Sequence, residues 1–256
     1  MAAPSPWGAT DFVEAAAIPS RWSRGRRGHA LRGCGPAAYP PAAALDLVAA
    51  ALAYARDHAA DLAAQTWRHV GLAGGALLVA GLICVPTGVW IARHRRLAGP
   101  IIGLGSSLRV VPSLAILFLA LPVLGLGARP ALVALVLLAC PPLLLNSYAG
   151  IRGVAPAVLD AARGMGMSPG QILRQVELPL ALPLMLAGLR TAAVELIASA
   201  TLAAWIGGGG LGDFILRGFA LGRPAIMLVG AVPVAIMALA AELLLGRVQR
   251  RVVAWQ

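Results

Sequence analysis

The chain has 256 residues, of which 59% are hydrophobic and 12% are charged, and its mean hydropathy is +0.82. Soluble domains carry about 25% charged residues, so this composition excludes an ordinary soluble protein and indicates an integral membrane protein. All 21 basic residues are arginine, which excludes the lysine-dependent ATP-binding loop GxxxxGK[ST] from this chain. The net charge of +11 does not indicate nucleic acid as a partner, because the arginines flank apolar segments, as residues that face anionic lipid do.

The N-terminal part of the chain differs from the rest. Residues 1–41 are rich in Arg, Gly and Pro and have no helical periodicity, which predicts a disordered extension; a translation start further on, near Val48, is an alternative. Residues 42–64 predict an amphipathic helix in the membrane interface. The apolar run 42–54 is too short to cross a bilayer, and Asp46 interrupts it. A sixth span in this region is the alternative.

Five later segments have the 20 or so mostly apolar residues that a membrane helix needs. They cover residues 69–92, 104–125, 129–149, 178–204 and 224–246. The prediction is an all-α integral membrane protein with five spans in one domain, residues 65–250. Seven prolines inside or near the ends of spans predict kinked helices around a transport pathway: Pro86, Pro112, Pro122, Pro141, Pro142, Pro183 and Pro233.

The arginines predict which side of the membrane each loop faces, because short cytoplasmic loops carry an excess of basic residues. Nine arginines follow the first, third and fifth predicted spans: Arg93, Arg95, Arg96, Arg152, Arg163, Arg174, Arg247, Arg250 and Arg251. The opposite loops contain Arg129, Arg217 and Arg223. This distribution predicts a multi-pass protein of the cell membrane with a cytoplasmic C-terminus.

The segment between the third and fourth predicted spans is polar, and it predicts two short helices at the cytoplasmic surface. Ala161 and Ala162 keep the first helix thin, and Gly166 allows a sharp turn after it. Ser168 and Pro169 supply an N-cap and a first-turn proline for the second helix. A thin helical projection below a membrane domain predicts a docking surface for a soluble partner that performs mechanical work.

The spacing in this segment resembles the signature of permease subunits of ATP-binding-cassette (ABC) importers: EAA, three residues, Gly, nine residues, then I-x-LP. The elements here are Asp160-Ala161-Ala162, Gly166 and Val176-Glu177-Leu178-Pro179, with Asp in place of Glu and Val in place of Ile. Further motifs across residues 65–250 resemble the osmoprotectant branch, the permeases of glycine betaine, carnitine and choline importers. These motifs lie at residues 112–115, 147–153, 162–167, 188–192, 200–204 and 207–213.

The resemblance implies a type I importer, in which two permease subunits, identical or different, are bound to two cytoplasmic ATPases and receive cargo from an extracytoplasmic binding protein. The permease performs no covalent chemistry and needs no cofactor; rigid-body motion driven by the ATPases switches it between inward- and outward-facing states. The resemblance assigns ATPase coupling to Asp160, Ala161, Ala162, Gly164, Gly166, Met167, Leu178 and Pro179.

Other functions stay open from the sequence. A permease for methionine or another small nutrient would have the same architecture, and a channel or membrane scaffold without an ATPase would leave the polar segment unoccupied. The four histidines have no HxxxH or HExxH spacing, so no metal site is predicted.

Glu195 is the candidate for the translocation path with the clearest physical reason. A charge in a span costs about 2.5 kcal/mol or more, so this carboxylate should face a cavity or the helix bundle. It could attract a cationic cargo or serve as a structural hydrogen-bonding group; Arg190, five residues earlier, is poorly placed to pair with it. Further candidates for the path are Pro112, Tyr148, Thr201 and Trp205. Arg109, near the predicted cytoplasmic end of the second span, either extends to the interface or acts in gating.

Overall fold

The computed structural model describes residues 41–253. The extension predicted for residues 1–41 therefore lies outside the described residues, except that Pro41 is the first residue of helix α1. Every regular element in the described part of the chain is helical. This agrees with the prediction of an all-α protein.

The helices follow one another with short connections. The first five are α1 (Pro41–Asp57), α2 (Ala59–Arg93), α3 (Arg95–Leu108), α4 (Ser113–Leu124) and α5 (Ala128–Arg152). They are followed by α6 (Pro156–Gly164), α7 (Pro169–Ile172), a π-helical turn (Leu173–Glu177), α8 (Leu178–Ser199), a 3₁₀ helix (Ala200–Ile206), α9 (Gly212–Ala220) and α10 (Pro224–Val253).

Four continuous helical segments are long and apolar enough to cross a membrane: Ala59–Arg93, Ala128–Arg152, Pro169–Ile206 and Pro224–Val253. A fifth span is possible by length and composition if the helix pair Arg96–Leu108 and Ser113–Leu124, bent by 97°, is counted as one. The predicted second span, 104–125, corresponds to this bent pair, which begins earlier than predicted and turns sharply at residues 109–112. Pro112 explains the break, since a proline disfavours helical geometry in the residue before it.

The N-terminal helix ends earlier than predicted. Helix α1 stops at Asp57, and residues 59–64 belong to the long helix α2 instead. Ala51 of α1 is buried in a cluster with Phe214 of α9 and Val229 of α10. The helix is thus packed against the C-terminal part of the bundle, and whether it lies in the interface or crosses the membrane stays a prediction.

Helix α5 forms the centre of the bundle and packs against α2 on one side and α8 on the other. Glycines allow both contacts. A Cβ atom added at Gly88 of α2 would lie 2.6 Å from the Cβ atom of Ser147, and one at Gly188 of α8 would lie 2.6 Å from the Cβ atom of Asn146. The buried core beside these crossings is made mostly of Ala and Leu from the three helices.

One of the seven prolines singled out from the sequence, Pro112, lies between two helices. Apart from Pro112, the six prolines singled out lie inside continuous helices: Pro86, Pro122, Pro141, Pro142, Pro183 and Pro233. The fold therefore has one complete break in a predicted span, and this break forms one wall of the cavity described below.

Candidate coupling segment and translocation cavity

The projection predicted from the sequence is present as helix α6. Pro156 occupies its first turn, where the missing N–H costs no helical hydrogen bond. Asp160 and Ala161 are exposed, whereas Ala162 is buried. The Arg163 guanidinium donates to the Asp160 carboxylate at 2.7 Å, an ion pair within the helix surface. The helix thus presents small and acidic groups on its outer face.

A glycine turn connects α6 to the next helix. Gly166 has a φ of +79°, which side-chain-bearing residues rarely adopt. The turn also binds back to the helix, because the N–H of Met167 donates to the carbonyl of Ala162 at 3.2 Å. Met165, just before the glycine, is 75% exposed. The sharp turn predicted at Gly166 is confirmed.

Helix α7 begins with the predicted cap. The hydroxyl of Ser168 accepts from the N–H of Gln171, and the N–H of Ser168 donates to the Gln171 side-chain oxygen at 2.7 Å, which together form a capping box. Pro169 lies in the first turn. Ser168 and Pro169 were predicted from the sequence, but Gln171 was not, although its spacing of three residues from the serine is the signal of a capping box.

The coupling segment, which we define as residues 156–179, is attached to the bundle by an ion pair. Arg93 at the end of α2 donates to the Glu177 carboxylate at 2.7 Å and to the Pro169 carbonyl at 3.4 Å. Glu177 lies in the π-helical turn, and Leu178 and Pro179 begin α8 without an intervening loop. Residues 169–206 therefore form one continuous helical segment, with no loop between the coupling segment and α8.

A polar cavity of about 440 Å³ lies where the second span is broken. The break at residues 108–113 forms one wall, Leu138 and Pro141 of α5 form another, and Thr191, Glu195 and Ser199 of α8 complete it. Pro112 and Glu195, which the sequence analysis assigned separately to the translocation path, thus line the same space. Arg109 also lines it, at the break between α3 and α4. Its place near the cytoplasmic end of the second span stays a prediction.

The other candidates for the path lie elsewhere. Tyr148 is half-buried and packs against the core between the helices. Thr201 and Trp205 line a second, smaller cavity of about 160 Å³ together with Phe219 and Met227. Of the five candidates for the path, Pro112 and Glu195 therefore line one cavity, Thr201 and Trp205 line another, and Tyr148 lines neither.

Arg190 does not pair with Glu195, as expected from their spacing in the sequence. Its guanidinium pairs with Glu242 of α10 and also donates to Gln249 at 3.4 Å. The Gln249 side chain in turn donates to the Pro183 carbonyl of α8 at 3.1 Å. These contacts join α8 to α10, and Glu195 takes no part in them.

The glycine-rich turn at residues 207–210 packs against the start of α2. The N–H of Gly210 donates to the Gln65 side-chain oxygen at 2.8 Å. Nearby, the fully buried His69 ring lies 2.9 Å from the Ile197 carbonyl. Burial raises the pKa of Asp213 beside this turn, and the positive charges of Arg217 and Arg68 partly oppose that shift.

Comparison with known proteins identifies the class. Residues 84–254 match the family described as the binding-protein-dependent transport system inner membrane component. The chain is 42% identical over 202 residues to the carnitine transport permease protein OpuCB of Listeria monocytogenes, covering 79% of this chain and 93% of the relative. It is 42% identical over 198 residues to the choline transport system permease protein OpuBB of Bacillus subtilis, covering 77% and 91%.

A solved structure has the same fold. A chain of the MetNI methionine ABC transporter, in an inward-facing conformation, matches with a TM-score of 0.66 and 22% identity, covering 75% of this chain and 95% of the other. The protein therefore belongs to the family of binding-protein-dependent transport system inner membrane components. It is a multi-pass membrane permease subunit, and the family implies an ATPase and a substrate-binding protein as its partners.

Proposed function

We propose that this chain carries quaternary-amine osmoprotectants, such as glycine betaine, carnitine and choline, across the cell membrane as the permease subunit of an ATP-driven importer. One observation supports it best: the exposed coupling segment continues without a loop into the span that contributes Glu195 to a polar cavity. The two relatives, a carnitine permease and a choline permease, favour this cargo class. The alternative, a methionine permease, is supported only by the similarity of the fold, since the solved methionine transporter is 22% identical to this chain.

ATP hydrolysis belongs to a partner in this proposal, because a chain without lysine cannot form the usual phosphate-binding loop. Two ATPases each receive one coupling segment. The groove that accepts α6 contacts Asp160, Ala161 and Gly164, together with Gly166 and Met167 of the turn, and the buried Ala162 packs on the inner side of the helix. Leu178 and Pro179 then pass the motion into α8. A channel or scaffold without an ATPase would have no use for this exposed, capped segment.

The broken span supports a second permease subunit, identical or different. Val110 is 83% exposed in the single chain, and Arg109 and Pro112 beside it are also exposed. Irregular backbone is not tolerated against lipid, only against protein or a water-filled cavity. Residues 109–112 therefore face a translocation path between two subunits rather than hydrocarbon.

The orientation follows from the charges. Nine of the sixteen arginines outside residues 1–41 lie at the junction of α2 and α3, at the end of α5, in the coupling segment and at the end of α10. The excess of basic residues on the cytoplasmic side then requires a cytoplasmic C-terminus. The turn at residues 207–210 and helix α9 face the outer side, where the binding protein delivers cargo.

Uptake by reconstituted vesicles tests this function. The complete transporter, with its ATPase and binding protein, is expected to accumulate radiolabelled glycine betaine, carnitine or choline only when ATP is supplied. Glu195→Gln, which keeps size but removes the charge, is expected to lower uptake about tenfold with normal assembly, since charge-assisted contacts are worth about 1.5–3 kcal/mol. Transport of none of the three amines by the wild type, with methionine carried instead, would overturn the assignment.

A further inference from the structure

The cavity at the broken span holds two opposite charges that are not paired with each other. Four ion pairs occur in the described part of the chain, and none involves Arg109 or Glu195. Among the acidic residues of the described candidate spans, Asp61, Glu177 and Glu242 each have an arginine partner, whereas Glu195 does not. Because an unpaired charge within a membrane span is energetically costly, the presence of Glu195 there indicates a functional role.

The two charges nevertheless face the same space. Arg109 comes from the break between α3 and α4, Glu195 comes from α8, and both line the 440 Å³ cavity. Hydroxyl groups of Ser113, Thr191 and Ser199 line the same cavity. The result is a polar chamber with a positive group on one wall and a negative group on the other.

A zwitterion matches this arrangement. We infer that the cavity is a transient subsite for zwitterionic amines, with the cargo carboxylate on Arg109 and the quaternary ammonium facing Glu195. A guanidinium binds a carboxylate through two parallel N–H donors. A quaternary ammonium has no N–H to donate, so the negative charge of Glu195 attracts it without a hydrogen bond.

The inference separates cargoes that the proposed function groups together, and it rests on that function. Glycine betaine and carnitine carry both charges, whereas choline carries only the positive one. Choline would gain the attraction of Glu195 but would also meet the uncompensated charge of Arg109. Arg109 is therefore a specificity-determining residue that favours zwitterions over simple cations.

The test compares uptake of glycine betaine, carnitine and choline by the complete transporter with one binding protein throughout. Because the binding protein is constant, a change in the ratio of kcat/KM values reports on the permease. Arg109→Gln is expected to lower kcat/KM for the two zwitterions about tenfold, as loss of a charge-assisted contact implies. The value for choline is expected to stay the same or rise. Glu195→Gln should lower all three.

Three variants serve as controls. Arg109→Lys keeps the charge and is expected to retain most of the preference for zwitterions. Arg109→Met keeps the length of the side chain without its charge and replaces the glutamine variant if that one does not assemble with the ATPase. Arg129→Gln removes an exposed arginine at the start of α5, away from the cavity, and should leave the ratios unchanged.

The outcomes separate the two proposals. An equal loss for all three cargoes in Arg109→Gln and Arg109→Met, or an unchanged ratio, would overturn the zwitterion subsite and leave the importer function in place. A wild-type transporter that carries choline but neither zwitterion would also overturn it. Transport of none of the three by the wild type would overturn the proposed function, and the subsite with it.

Discussion

Gly166→Val is expected to abolish ATP-driven uptake while the membrane domain stays folded. Gly166 has a φ of +79°, which a β-branched residue adopts only at a cost of about 2 kcal/mol or more. No other atom lies within 4 Å of the place where its Cβ would be, so the effect is backbone strain and not a clash. The turn should relax to another geometry and move α6 out of its groove on the ATPase. We expect at least a tenfold loss of uptake, measured in vesicles alongside the ATPase rate.

Gly222 provides the matched control for this variant. It also has a positive φ, +61°, and open space around its Cβ position. It lies between α9 and α10, at the opposite end of the adjoining spans from the coupling segment. Gly222→Val should therefore carry a similar strain without affecting coupling. If both variants lost uptake equally, or if Gly166→Val transported normally, the assigned role of the turn would be wrong.

Gly188→Val is expected to reduce the stability of the helix bundle more than any other single change discussed above. Its Cβ position lies 2.6 Å from the Asn146 Cβ atom and 2.7 Å from the Pro142 carbonyl oxygen, so α8 would have to move away from α5. Overpacking of a tight core costs about 1–3 kcal/mol, and a branched side chain against backbone should reach the upper end. The expected result is a lower unfolding temperature of the purified protein in detergent and a smaller yield of assembled complex.

Gly81→Val serves as the control for packing. Gly81 lies in α2 and has no atom within 4 Å of its Cβ position, so the added side chain meets no neighbour. The Gly81→Val protein should therefore unfold near the temperature at which the wild type unfolds. Equal unfolding temperatures for Gly188→Val and the wild type would contradict the close crossing of α5 and α8.

The coupling segment could be predicted from the sequence because its determinants are local. A serine three residues before a glutamine, a proline in a first turn and a glycine after a short helix act within a few residues of each other. The spans were also predictable, since length and hydropathy define them. A kink at Pro112 was predicted from the proline itself, but the size of the bend, 97°, was not, because averaged hydropathy gives no angle between two apolar helices.

The arrangement of the cavity could be predicted only in part. Glu195 was recognisable as a costly charge in an apolar segment, but its neighbours depend on which helices pack together. Arg109 was predicted near the cytoplasmic end of the second span because that span was given a start at residue 104, whereas the bent helix pair begins at Arg96. Contacts such as the ion pair between Arg93 and Glu177, which are 84 residues apart, leave no local pattern in the sequence.

The central claim is that the coupling segment lies on the cytoplasmic side and binds the ATPase. The direct test is Asp160→Cys in a background with Cys34, Cys84 and Cys140 replaced by serine, treated with an impermeant thiol reagent in sealed vesicles of either orientation. Our account predicts labelling at position 160 only when the cytoplasmic face is outside, and protection when the ATPase is bound. Labelling from the outer face, or labelling unaffected by the ATPase, would contradict it.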